Sequence, residues 1–363
     1  MPPEDAIRYL SKNKYFHLAL VVCALFATAP RCFASAALFL EEPYGRVGAV
    51  NPTGHSAIYL DHICAAAPDR LRFCRPGETG VVVSRYHKVA GYDWLAVPLI
   101  SYLYGVERTD EVPASVSPKS VAEIRNTYRH DHLQSIVPDA PGGGMPPGEW
   151  TELVGSAYDR RIYVYQIATT REQDEHLIAS FNDRKNIAHY NMLDRNCADF
   201  SRNLFDLLYP HSVHRNAFAD WGIMTPKQVA RSLVSYSRKN PEINLQIFVI
   251  PQVPGTVRRS HAIYGCTEGF VKSKKYVIPA AVLNPYFAAG MLAVYVVDGR
   301  FSPPKDPEVL SFASARTDTV STATSTTTVG PAASTRSPLT FASGDSKRVS
   351  LGGTRSLNPA QAY

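Results

Sequence analysis

Three chemical signatures are missing from this chain: a glycine-rich phosphate loop, a dinucleotide fingerprint and a Gly-x-Ser-x-Gly turn. Their absence sets aside nucleotide-driven, Rossmann-type redox and serine-elbow hydrolase chemistry. Basic residues are too scattered to form a stripe interleaved with aromatics, and the formal charge of +6 is mild for 363 residues. Nucleic acid is therefore not an expected partner. No cysteine or carboxylate completes a four-ligand set around the histidine pairs His211/His214 and His130/His132, so no metal and no cofactor are expected. No internal repeat of fixed period is present.

Cysteine is scarce, with six in the whole chain. Arg8, Lys12 and Lys14 precede an apolar run from Leu18 to Ala29, and Ala34-Ser35-Ala36 fits the small-residue cleavage rule. Residues 1–36 read as a secretory signal peptide, with an uncleaved anchor helix as the alternative. Either way the domain leaves the cytosol, and the cell envelope is the expected location. Cleavage after Ala36 removes Cys23 and Cys32 and leaves Cys64, Cys74, Cys197 and Cys266, which permit three complete pairings. Cys64 and Cys74 are ten positions apart and are the favoured disulfide, leaving Cys197 free. A Cys197–Cys266 bridge is the opposing pairing, and it would abolish nucleophilic chemistry.

Residues 37–270 mix strand and helix signals in the manner of an α+β domain. Ser56–Leu60 and Val81–Tyr86 read as strands that pair antiparallel across a loop holding Pro68, Pro76 and Gly77. Pro118 opens an amphipathic helix to about Ile136, and a short helix is expected from Glu149 to Tyr158. Ile162–Ala168 alternates as a strand, and Thr170 with Gln173 caps a helix reaching Asn182. A strand near Ala188–Leu193 is expected to deliver the chain to Cys197, from which Phe200, Leu204, Leu207 and Leu208 recur at helical spacing. Thr225-Pro226 starts another helix, and Gln246–Ile250 reads as a strand.

From Tyr276 to Val297 the chain runs 22 residues without a formal charge, flanked by Lys272, Lys274, Lys275 and by Asp298 and Arg300. That length suits a transmembrane helix over 276–297, which makes a membrane an expected partner. Pro279, Asn284, Pro285 and Gly290 weaken that reading and leave a broken, buried hairpin as the alternative. Beyond Phe301 the chain is rich in Ser, Thr, Ala and Pro, and 301–363 reads as a disordered tail that cannot bury enough surface to offset its ordering entropy.

Two motifs carry chemistry. Gly54-His55-Ser56-Ala57-Ile58-Tyr59-Leu60 places a histidine at the start of an apolar strand, and 142 positions later Arg195-Asn196-Cys197-Ala198-Asp199-Phe200 places a cysteine at the start of a helix. Unpaired N–H groups and the dipole at a helix start favour thiolate over thiol, and a histidine within reach supplies the base. Histidine before cysteine, in these two motifs, resembles the circularly permuted papain-like superfamily, which includes lecithin:retinol acyltransferase-like proteins and cell-wall peptidase relatives. The resemblance covers roughly residues 50–210. It implies an antiparallel sheet with a nucleophile-bearing helix, Cys197 as nucleophile, His55 as base, and a third polar group on the strand that follows. There His87 is chemically the strongest orienter, with Ser84 and Tyr86 as alternatives, while Asn196 and the Cys197 N–H are the oxyanion candidates. A cell-wall peptide, a protein or a lipid acyl group is the expected substrate; a catalytically silent envelope binding protein of the same fold is the competing reading.

Overall fold

The computed structural model describes residues 34–45, 52–87, 89–142, 146, 149–187 and 189–310. Its central strand, β1 (Ala34–Glu41), is buried along all eight residues, because helices cover both faces of the sheet it belongs to. A strand covered on both faces reads as an uninterrupted apolar run, and Ala36 to Leu40 is one. β1 is flanked by β2 (His55–Leu60) and β7 (Ile162–Thr169), both antiparallel to it. The seven-stranded sheet has the order β6-β5-β2-β1-β7-β8-β9, with β5 (Val81–Ser84), β6 (Leu95–Pro98), β8 (Gln246–Ile250) and β9 (Glu308–Val309). Only β8 and β9 run parallel among these neighbours. The fold is α+β with a mostly antiparallel sheet.

Alternation sorts the strand residues into two cores. Ala37, Phe39, Ala57, Tyr59 and Val82 pack under α1 (Leu99–Tyr104), α2 (Pro118–His132) and α3 (Ser156–Asp159). Leu38, Leu40, Ile58, Leu60 and Val83 pack under α4 (Arg171–Asn182), α5 (Cys197–Leu208) and α6 (Pro226–Ser237). Thr170 and Gln173 form the expected reciprocal cap at α4, and Thr225 accepts from the Gln228 N–H at α6.

Several expectations meet a different local structure. Of the expected signal peptide 1–36, Ala34–Ala36 are described: they begin β1, where the Ser35 N–H and hydroxyl both donate to Asp61, each at 2.7 Å. The remainder of the expected signal peptide lies outside the described residues. Between β2 and β5 the chain makes its own hairpin, β3 (Ile63–Ala67) with β4 (Arg70–Phe73), joined by a Cys64–Cys74 disulfide. Reducing it removes a ten-residue constraint from the unfolded chain, and the expected loss is about 2–3 kcal/mol, read as a lower urea midpoint with reductant than without. An unchanged midpoint would refute this. Among the described residues of 189–196 no strand leads into Cys197: Asn191 and Arg195 exchange backbone hydrogen bonds across a tight turn, and Met192 and Leu193 are exposed. Turn-forming Asn191, Asp194 and Asn196 outweigh the apolar pair there. Ala188 lies outside the described residues.

The expected single helix over 276–297 is divided in two. Residues 276–297 fall into two helices, α8 (Lys274–Leu283) and α9 (Pro285–Val297), following α7 (Cys266–Lys272). Among the described residues no helix is long and apolar enough to cross a membrane. Proline at 285 lacks the N–H and excludes the helical conformation at Asn284, so the chain folds back at that point. The ordered domain continues past 270, since Glu308–Val309 pairs with β8; the tail beyond 310 lies outside the described residues.

Candidate functional site

The site begins with a glycine. Gly54 adopts φ +71°, and a Cβ there would collide with the Glu41 carbonyl oxygen, so only glycine lets the chain turn tightly into β2. His55 follows as the first residue of the strand. It is directly opposite Glu41 on β1 and shares its face with Ala57 and Tyr59. α5 packs on the other face of the sheet, where the Ser201 hydroxyl meets the Ser56 hydroxyl at 3.0 Å. His55 reaches the start of α5 because it stands at the end of its strand, and there its ring faces the Cys197 thiol.

Cys197 is free, 8% exposed and the first residue of α5. Burial alone would raise its pKa. The facing His55 charge and hydrogen bond, with the Ser56 N–H and hydroxyl, outweigh burial and hold the thiol below its ordinary value. The reciprocal holds for His55: burial disfavours the imidazolium, yet the thiolate and then Glu41 and Glu152 hold its pKa above the usual histidine range. The two groups therefore stabilise each other as an ion pair. The opposing Cys197–Cys266 bridge is not formed. Cys266 is also unpaired, and burial pushes its thiol up to about 12, which leaves it inert.

Ser84, not His87, contacts the imidazole. Its Oγ lies 3.0 Å from His55 Nε2 and 2.7 Å from the Ser56 carbonyl oxygen. A hydroxyl has one proton. Given to the carbonyl, it leaves Oγ to accept from Nε2–H, so the neutral ring carries its proton on Nε2 and offers Nδ1 to the thiol. Tyr86 stacks on the same ring with centroids 5.4 Å apart. His87 turns away: β5 ends at Ser84, and the His87 side chain sits 3.5 Å from Glu149 and 5.1 Å from the Tyr190 ring. Replacing Ser84 with alanine frees the ring to adopt the other tautomer, and Cys197 alkylation at pH 6.5 is expected to slow by about three- to tenfold while Ser84→Thr retains most of it. Equal rates in all three proteins would remove Ser84 from the site.

Asn196 is a helix cap. Its Oδ1 accepts from the N–H groups of Ala198 at 2.8 Å and Asp199 at 3.0 Å, and its Nδ2 donates to the carbonyls of Met192 and Met224, each at 3.0 Å. No donor is left over for an oxyanion. The Cys197 N–H is the donor at this helix start that has no partner among the described residues.

Sequence reasoning did not find the buried network behind His55. Glu41, fully buried, accepts from the Tyr102 hydroxyl, from Ser156 Oγ at 2.9 Å and from Arg160 Nη1 at 3.1 Å. Arg160 also faces Glu152 at 3.6 Å and lies 4.3 Å from the Tyr44 ring centroid. The signal that could have found it is the carboxylate ending an apolar run, since a buried charge needs a partner. His130 contacts Asp131 and His132 contacts Glu107, each on the surface. The cluster with ligand-like spacing among the described residues, Cys64, Cys74 and Glu78, has its two sulfurs joined in the disulfide.

The fold and the site thus define an α+β protein with a buried, mutually stabilised cysteine–histidine pair at a helix start. Compared with known proteins, the chain matches no family model, no curated protein and no solved structure.

Proposed function

We propose that this protein is a thiol hydrolase of the circularly permuted papain-like kind, cleaving an amide or ester through an acyl-enzyme. The observation that carries the reading is the Cys197–His55 pair, with Ser84 presenting Nδ1 to the thiol. Cys197 Sγ attacks the carbonyl carbon, and the Cys197 N–H donates to the oxygen that becomes negative. As the C–N or C–O bond breaks, imidazolium Nδ1 gives its proton to the leaving group. Water then loses a proton to Nδ1 and attacks the thioester, the C–S bond breaks, and the thiolate returns. The Cys64–Cys74 disulfide supports export to an oxidising compartment, where a cell-wall peptide, a protein or a lipid acyl group would be the substrate.

The test is acylation by a p-nitrophenyl ester. The expected result is a burst of nitrophenol with an acyl mass on the Cys197 peptide, discharged by hydroxylamine and absent from Cys197→Ala. No adduct above that of the alanine variant would sink the reading. One observation favours a second one: with 8% exposure, Cys197 is more covered than an open cleft requires. A catalytically silent binding protein of this fold would show that cover and fail the acylation test.

A further inference from the structure

From Tyr276 to Val297 the α8–α9 hairpin is apolar on every side and leaves most of that surface open. Val282 is 78% exposed, Leu283 85% and Tyr286 90%, and Ile278, Phe287, Leu292 and Val297 are exposed with them. No charged residue occurs between Tyr276 and Val297. A helix without a polar face is normally buried in a core or in lipid, and this one is in no core. Cations gather at its base instead. Lys274 and Lys275 are exposed there, Lys272 lies 4.5 Å from the Tyr264 ring centroid, and Arg300 lies 5.8 Å from that of Tyr295.

We infer that this hairpin inserts into one leaflet of an anionic bilayer, with Lys274, Lys275 and Arg300 at the headgroups. Helices of ten and thirteen residues reach about 15–20 Å, near the depth of one leaflet and well short of the whole hydrocarbon layer. Several N–H groups at the tip are met within the hairpin. Pro285 has no N–H, the Asn284 N–H bonds the Ala280 carbonyl at 2.8 Å, the Phe287 N–H bonds Asn284 Oδ1 at 3.0 Å, and the Ala288 N–H bonds the Asn284 carbonyl at 3.2 Å. In hydrocarbon each such group left unpaired would be costly. Exposed lysines beside an apolar insert are the arrangement that anionic headgroups attract. Asp298 then fastens the returning chain to the body through Arg231 at 2.6 Å and through Asn216. The chain leaves the membrane on the side it entered.

The full chain, synthesised in the presence of phosphatidylcholine/phosphatidylglycerol vesicles, tests this with a reporter at the tip. In Leu283→Trp, brominated acyl chains are expected to quench the added tryptophan fluorescence, and the Val282→Asp/Leu283→Asp variant is expected to lose hairpin protection from protease while its Cys197 alkylation rate stays unchanged. Lys274→Glu/Lys275→Glu should weaken quenching at position 283 by about tenfold in vesicle concentration. Absence of quenching at 283 overturns the proposal even if the protein floats with vesicles through another segment. So does a light-scattering dimer that the aspartate variant dissociates without any quenching, which would assign the face to a second copy.

Discussion

Replacing His55 with alanine slows alkylation of Cys197 at pH 6.5 by at least about tenfold. An ordinary thiol with a pKa of about 8.5 is roughly 1% thiolate at that pH. Burial would push Cys197 above that value, and the largest opposing effect is the His55 charge. Without it, the residual Ser56 donors face the full desolvation cost. The pH profile makes the sign explicit. In the native protein the reactive thiolate–imidazolium pair fills the window between a lowered thiol pKa and a raised imidazole pKa. Alkylation is expected to rise with an acid limb below the ordinary thiol range, and acylation turnover to fall on an alkaline limb above the ordinary histidine range as Nδ1 loses its proton. In His55→Ala the acid limb moves to the alkaline side of 8.5. Rates read on the Cys197 peptide by mass spectrometry check this, and a profile that does not move in the variant would show that the two groups are uncoupled.

Arg160→Met is expected to cost about 3–5 kcal/mol of stability, measured by urea unfolding at pH 7. The guanidinium is the cationic partner of Glu41, which sits on the central strand with no exposed surface. Methionine fills much of the volume and leaves a buried carboxylate with two hydroxyl donors, from Tyr102 and Ser156. Adding Glu41→Gln should recover more than half of the loss, because a broken buried pair is worse than none. A loss under about 1 kcal/mol, or no recovery in the double variant, would mean that the pair does not hold this end of the sheet.

The outer frame of the site was legible in the sequence, since it depends on local signals. A glycine–histidine at a strand start, an asparagine–cysteine before an amphipathic run, and two cysteines ten apart each point to an element and a position. What escaped depends on register and on distant partners. His87 is the better chemical orienter than Ser84, but β5 stops at Ser84, and past the buried Tyr86 the His87 side chain faces Glu149 at the surface. Asn196 looked available to an oxyanion because its type suits that task; its position before a helix is equally that of a cap, and the carbonyls of Met192 and Met224 take its remaining donors. Twenty-two uncharged residues sufficed in length for a span, and Asn284-Pro285 divided them. Glu41 and Arg160 are 119 positions apart, and no local pattern announces that they meet.

The disulfide hairpin lies in the connection between the two strands whose side chains assemble around His55, and its location bears on tolerance to changes in length. Side chains on a strand face alternate ways, so the alignment of β5 with β2 is a matter of parity: Ile58 opposite Val83 puts Ser84 on the imidazole, whereas a slip by one residue would turn Ser84 into the other core. An insertion in an open loop between those strands could trade one parity for the other. With β3 and β4 paired and clipped by Cys64–Cys74, residues added after Pro68, whose carbonyl accepts from the Ala96 N–H, stay inside the clipped loop, and the two strand ends leave it unshifted. The clip therefore works as an error-absorbing spacer for the geometry of a site whose atoms it never touches.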